Sequence, residues 1–234
     1  MAKADGSDLT VAAQDYLKLL YTANEWSDAP VTVGLLADRL GLSMSTVSEG
    51  IAKLALQGLV SHAKYSSVSL TPDGRRYALV MVRRHRVLET FLVQTLGYTW
   101  DEVHDEAEKL EHAASEDLIA RMDELLGHPS TDPHGDPIPT ADGQVNRPEA
   151  SQLTAAQPGQ NVVICRVSDT DPKLLRYFSR LGLTPGTKLT TGQRKPFTAG
   201  TTVRMTGSGQ DITLGTEAAD AVWVVPAAAG IERS

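Results

Sequence analysis

Apolar residues recur at three- and four-residue steps over residues 8–26, where Leu9, Ala12, Ala13, Tyr16, Leu17, Leu20 and Ala23 form one stripe. The spacing predicts an amphipathic helix capped by Ser7 or Asp8 and broken before Pro30. Residues 32–40 predict a short second helix closed by Gly41. Residues 43–57 predict a third, capped by Ser43 or Ser45, with Val47, Ile51, Leu54 and Ala55 inward and Gly58 as its stop. Leu59-Val60 and the alternating Val68-Ser69-Leu70 flank a polar tip, which predicts a small hairpin. Thr71-Pro72-Asp73-Gly74 opens a long helix from about 73 to 96, closed by Gly97, and residues 101–126 read as one further helix ending at Gly127. Residues 128–158 are rich in Pro, Gly and Asp without a sustained period, and read as loop followed by linker. From Asn161 the pattern changes to short strands at 162–165, 188–191, 201–205, 211–214 and 221–225, with one helix near 172–181. That pattern predicts a small β-barrel or SH3-like module, making the chain α+β.

The 234 residues suffice for two or three small domains, and the single cysteine, Cys165, excludes an internal disulfide. Residues 1–5 lack the apolar core of a signal peptide, and no apolar run approaches the roughly 20 residues needed to span a bilayer. The expectation is a cytoplasmic protein without a membrane partner. The net charge of −7 argues against nucleic acid until its distribution is considered. Residues 29–86 hold eight Lys/Arg against three acids, whereas residues 101–149 hold fourteen acids against Lys109, Arg121 and Arg147. The first segment suits phosphate binding; the second suits either cation binding or a solvated acidic face.

A short helix, a Gly-containing turn, a second helix and a two-stranded wing together describe a winged helix-turn-helix. Ser43, Ser45, Thr46 and Ser48 are short hydrogen-bonding side chains at the amino end of the second of these helices, where a recognition helix meets base edges and phosphates. Lys53, Lys64, Arg75 and Arg76 are candidates for backbone contacts, which fix register without reading sequence. Each Ser or Thr is individually explicable as a helix cap, and Glu49 opposes phosphate contact at its own position.

His104, Glu108, Glu111 and His112 are spaced by four, three and one residues, and His85 and Glu89 form a four-residue pair on the preceding long helix. Such steps place side chains on one helix face. Carboxylate and neutral imidazole suit Mn²⁺, Fe²⁺, Co²⁺ or Zn²⁺. For Asp101, Glu102, Asp105, Glu106 and Glu116 a solvated face is the simpler explanation, and His62, His128 and His134 read as loop or surface residues. A carboxylate-bridged metalloenzyme would need a Glu-x-x-His motif on each of two helices; only Asp101-x-x-His104 is present. A metal-free winged-helix adaptor is the other alternative.

The order of parts resembles the family of the diphtheria toxin repressor, the iron-dependent regulators and the manganese transport regulators. The resemblance is carried by Asp15-Tyr16-Leu17, Ser45-Thr46-Val47-Ser48, Arg84-His85-Arg86 with Glu89, Val103-His104-Asp105-Glu106-Ala107-Glu108 with Glu111-His112, Asp132-Pro133-His134-Gly135-Asp136-Pro137-Ile138-Pro139 and Leu181-Gly182-Leu183-Thr184-Pro185-Gly186-Thr187. It implies a DNA-binding domain over residues 1–75, a helical metal-binding and dimerisation domain over 76–147, a linker over 148–159 and an SH3-like (FeoA-like) domain over 160–228. It implies a homodimer on an operator in duplex DNA, with Val87, Leu88, Phe91, Leu92, Leu118 and Leu125 as apolar dimer contacts. It also implies a primary metal site of Asp15, Glu108, Glu111 and His112, and an ancillary site of His85, Glu89 and His104 completed by Asp169 or Asp171. Iron-dependent members place methionine and cysteine where this chain has Asp15 and Glu108, so the resemblance implies Mn²⁺ as effector. Short manganese regulators carry an acid where this chain has Lys18, which is not a ligand. Between metal loadings, clustered carboxylates are expected to repel and free the first helix.

Overall fold

The computed structural model describes residues 9–62, 67–193 and 200–227. They form two compact units, each discontinuous in sequence. The first comprises the described residues up to Leu88 with 108–128 and 138–145; the second comprises 89–107, 129–137 and the described residues from 146 onward. Residues 76–147 therefore contribute to both.

In the first unit, helix α1 (Val11–Glu25) is capped by Thr10, whose hydroxyl accepts from Ala13 N at 3.3 Å. The caps expected at Ser7 or Asp8 lie outside the described residues. Helices α2 (Val33–Leu40) and α3 (Met44–Leu56) follow, separated by Gly41 in the left-handed region. A hairpin of β1 (Val60–His62) and β2 (Val68–Leu70) pairs antiparallel and leads into α4 (Pro72–Leu96). Leu17 and Leu20 of α1, Leu36 of α2, and Val47, Ile51 and Leu54 of α3 close one core with Val60 and Val68 of the hairpin. A β-carbon at Gly50 would lie 2.5 Å from Tyr16 Cε2, so α3 rests directly on the α1 tyrosine.

Residues 101–126 are two helices rather than the single one expected. Helix α5 (Val103–Leu110) unwinds into a turn at residues 111–114, and α6 (Glu116–Leu125) restarts behind Ser115, whose hydroxyl accepts from Leu118 N at 3.2 Å. A serine cap starts a helix as effectively as periodicity continues one. Three arginines counted with the phosphate-binding charge are used internally instead. Arg83 bonds Asp123 at 3.0 Å and the Pro139 carbonyl at 2.9 Å, Arg84 bonds Glu116 at 2.6 Å, and Arg86 forks onto buried Glu25.

The second unit is built on a six-stranded antiparallel sheet. In chain order its elements are β3 (Ser151–Gln152), β4 (Asn161–Val167), α7 (Pro172–Leu181), β5 (Lys188–Thr191), β6 (Thr201–Met205), β7 (Asp211–Leu214), α8 (Thr216–Asp220) and β8 (Val222–Pro226). The spatial order is β3-β8-β4-β5-β6-β7. Val162, Ile164, Leu189, Val203, Leu214 and Val224 pack with Leu175 and Phe178 of α7. The β-barrel or SH3-like module expected from the sequence is present as this antiparallel sheet, whose ladder among the described residues ends at β3 and β7 without joining them. Closure needs tilted, staggered strands, and β3 has only two residues. No helix among the described residues is long and apolar enough to cross a membrane.

Candidate metal centres and DNA-binding surface

Within the first unit, α1 and the turn after α5 bring Asp15, Glu111 and His112 together, with one ligand atom of each inside a 4.8 Å span. The orientation of His112 follows from its neighbour on α1. Gln14 Nε2 donates to the Leu9 carbonyl at 3.2 Å, which turns Gln14 Oε1 toward His112 Nδ1, 2.7 Å away. Nδ1 therefore carries the proton in the neutral ring, and Nε2 presents its lone pair. Nε2 lies 2.9 Å from Asp15 Oδ1, yet that oxygen is buried outside hydrogen-bonding geometry. A bare imidazole nitrogen and a carboxylate oxygen converge here, which suits a cation between them rather than a bond from one to the other.

Glu111 is fully buried, and His85 Nδ1 lies 2.6 Å from its Oε2. Burial opposes its ionisation, but the His85 hydrogen bond and the Lys18 charge prevail and hold its pKa below the ordinary range. Burial raises the pKa of Asp15, with His112 and Lys18 opposing and Glu108 and Glu111 reinforcing that rise. Lys18 Nζ sits 2.5 Å from Glu108 Oε1 and 2.6 Å from Glu111 Oε1. The expected mutual repulsion of the carboxylates is thus relieved inside the chain by the Lys18 ammonium group, which is not itself a metal ligand. Burial disfavours its charge, but Glu111 and Glu108 outweigh that and raise its pKa.

In the second unit Glu89, His134 and Asp169 also offer ligand atoms within 4.8 Å of one another, and His104 Nδ1 is 3.3 Å from Glu89 Oε1. His134, expected on the surface, is wholly buried. Its loop is folded by Asp132, whose Oδ1 accepts from the backbone N–H groups of His134 and Asp136 at 2.8 and 2.9 Å. Gly135, at φ 93°, lets the loop lie against β4, since a β-carbon there would come within 2.0 Å of the Cys165 carbonyl. His134 Nε2 faces the Trp100 carbonyl at 2.7 Å, and Trp100 stacks on the ring. Nδ1 is left buried without a hydrogen-bond partner, 3.8 Å from Glu89 Oε2. Burial lowers the pKa of His134, but Glu89, Asp132 and Asp169 draw it above the ordinary imidazole value. The surroundings demand positive charge, which either a proton or a metal ion satisfies. Burial raises the pKa of Asp169, yet His134 foremost brings it below normal.

Asp171, offered beside Asp169, is exposed and caps α7 by accepting from Lys173 N at 2.8 Å; it joins no cluster. His85 and His104 fall in different units, His85 bonded to Glu111 and His104 close to Glu89. Sequence spacing missed His134 because the Pro- and Gly-rich segment around it has no period, although an Asp-Pro-His-Gly turn is itself a signal of side-chain-stabilised backbone. It missed Gln14 because an amide carries no metal-binding signature of its own.

On α3, Ser45, Thr46, Ser48 and Lys53 are exposed. Ser43 Oγ accepts from Thr46 N at 3.2 Å and lies 2.8 Å from the hydroxyls of Ser45 and Thr46, so this residue is a cap with a cluster of hydroxyls at the helix start. Lys64 lies outside the described residues.

These features define a winged-helix regulator whose DNA-binding and metal-ligating parts share one chain. Family models agree segment by segment: the iron-dependent repressor N-terminal DNA-binding domain over residues 8–68, the iron-dependent repressor metal-binding and dimerisation domain over 71–140, and the FeoA domain over 151–226. The iron-dependent repressor IdeR of Mycobacterium leprae is 32% identical over 231 residues, covering 93% of this chain and 98% of its own. A solved manganese-dependent transcriptional repressor in complex with manganese is 54% identical, with a TM-score of 0.88 over 92% of this chain and 100% of its own. The manganese regulator SloR is 30% identical, with a TM-score of 0.77 over 92% and 98%. The chain belongs to the diphtheria toxin repressor and manganese transport regulator family, and it is a metal-dependent transcriptional repressor rather than an enzyme.

Proposed function

We propose that this repressor responds to Mn²⁺ and acts on an operator in duplex DNA controlling manganese uptake genes. The observation that carries the reading is the donor set: every side chain converging at either cluster offers oxygen or nitrogen, and none offers sulfur. Hard oxygen ligands remove the preference for softer ions, so Mn²⁺, the weakest binder of the divalent series, is not disadvantaged by the site. Asp15, Glu111 and His112, with Glu108, are the ligands of the first site; Glu89, His134 and Asp169, with His104, are those of the second. At each cluster a bare imidazole nitrogen faces carboxylates, which supports this assignment.

A bound divalent ion supplies charge that α1 and residues 108–112 share. The residues of the chain do the rest. Gln14 holds the His112 tautomer, His85 orients Glu111, and Thr10, Thr32 and Ser43 cap the three helices that carry the signal to the DNA surface. Exposed Ser45, Thr46, Ser48 and Lys53 meet the operator. Val87, Leu88 and Leu92 are buried within the chain and are not free for a partner. Leu118 and Leu125 of α6, 42% and 69% exposed and two helical turns apart, are the better apolar contacts for a homodimer. With the ion at 100 times its dissociation constant, differential binding contributes about 2.7 kcal/mol, roughly a hundredfold in operator affinity.

A second reading, response to Fe²⁺, is favoured by the match to an iron-dependent repressor. Gel shift with a candidate transporter promoter and Mn²⁺, Fe²⁺, Co²⁺ and Zn²⁺ in turn tests both. Retardation at the lowest free concentration with Fe²⁺ rather than Mn²⁺ overturns the first.

A further inference from the structure

Lys18 lies three residues after Asp15 on α1, a step that places both on one helix face. Its side chain is 11% exposed, and its ammonium group bridges Glu108 Oε1 and Glu111 Oε1. The Glu111 oxygen it holds is the one nearer His112, 3.5 Å from Nε2; the other oxygen is engaged by His85. Any cation using Glu111 together with His112 and Asp15 therefore meets Lys18 at the same oxygen. Two cations that share a carboxylate oxygen a few ångströms apart repel strongly in a poorly hydrated site.

We propose that Lys18 is a resident internal cation that competes with the divalent ion for Glu108 and Glu111, and so sets the ion concentration at which the first site fills. This rests on the reading of that cluster as a metal site. The lysine keeps three clustered carboxylates from repelling one another, so the fold tolerates them, and in doing so it weakens the site for the ion. The same contact joins α1 to residues 108–111 through an ion pair that a bound metal replaces. Metal occupancy exchanges one link for another instead of tying down a loose helix. A site tuned in this way responds at a higher ion level than its donor set alone would dictate.

The test is calorimetric titration of the full chain with Mn²⁺, following the component of the isotherm that His112→Ala removes. Lys18→Gln and Lys18→Met are expected to tighten that component at least about tenfold, and Lys18→Arg, which keeps the charge, to stay within about threefold of the parent. Unchanged or weaker binding in the two neutral variants overturns the competition. Should both neutral variants fail to fold, the parent protein decides the matter: reductive methylation read by mass spectrometry is expected to label Lys18 slowly without Mn²⁺ and at least several-fold faster at saturation. Equal protection under both conditions overturns it. A parent protein that binds no Mn²⁺ overturns the metal-site reading and this inference together, whereas normal parent binding with unaltered variants overturns this inference alone.

Discussion

Gln14 Oε1 lies 2.7 Å from His112 Nδ1, and this one contact decides which nitrogen of the histidine faces Asp15. Outer partners of metal-bound histidines commonly contribute 10–100-fold in affinity. Gln14→Leu keeps the bulk and removes the acceptor, so Mn²⁺ binding at the first site should weaken by roughly that factor. Titration calorimetry checks it; an unaltered dissociation constant means the ring needs no orienting partner.

His112 itself supplies the bare nitrogen. His112→Ala should abolish Mn²⁺-stimulated operator binding while leaving the weak metal-independent retardation in place. Gel shifts across a Mn²⁺ series give the answer, and full stimulation in the variant would remove this cluster as the switch.

Asp15 and Glu108 give the first site its oxygen character. Asp15→Met combined with Glu108→Cys introduces thioether and thiol donors, and the response should move from Mn²⁺ toward Fe²⁺ or Co²⁺. Ranking the metals by the free concentration that half-saturates DNA binding tests this. An identical ranking shows that selectivity resides elsewhere.

Gly135 adopts φ 93° within van der Waals reach of the Cys165 carbonyl, where a side chain has no space. Gly135→Ala should cost about 1–3 kcal/mol through backbone strain and displaced packing. Because the loop carries His134, Mn²⁺ bound per chain in equilibrium dialysis should fall by the share of the second site while the first is kept. Retention of both sites would show that the loop relaxes without moving the ligand.

Asp123 is clamped by Arg83 and approached by His128 at 2.8 Å. Burial raises its pKa, but the hydrogen bonds from His128 and Arg83 prevail and bring it below 3.8. A carboxyl whose pKa is lowered by folding stabilises fully above its unfolded value, and that contribution disappears as pH falls through the folded value. Asp123→Asn should therefore lower the melting temperature by about 2–4 °C at neutral pH, given the modest worth of partly exposed pairs. The gap between variant and parent should close as the pH falls below 3.8. A gap that persists in acid would assign the effect to packing rather than charge.

Local chemistry alone determined much of this protein. The periodicity of residues 11–25, the serine cap at Ser43 and the glycine stops at Gly41 and Gly58 specify their helices within a few residues, because each signal acts between neighbours in the chain. The strands of the second unit, and Glu108, Glu111 and His112 as closely spaced candidates, were legible for the same reason: those residues stand together in short motifs, whereas Asp15, over 90 residues away, entered only through the resemblance. Tertiary structure decided the rest. Spacing treated Glu111 and His112 as a continuation of one helix face, whereas Ser115 restarts the helix and leaves them in a turn facing α1. It placed His134 at the surface, whereas Asp132 and Gly135 fold its loop against β4. It counted Arg83, Arg84 and Arg86 toward DNA, whereas acids from 25 to 123 neutralise them. Charge and hydrogen bonding act through space, so which partner a buried ionisable group finds depends on chain segments 60 or 90 residues away, as between Arg86 and Glu25 or Lys18 and Glu108. No window of sequence contains that information.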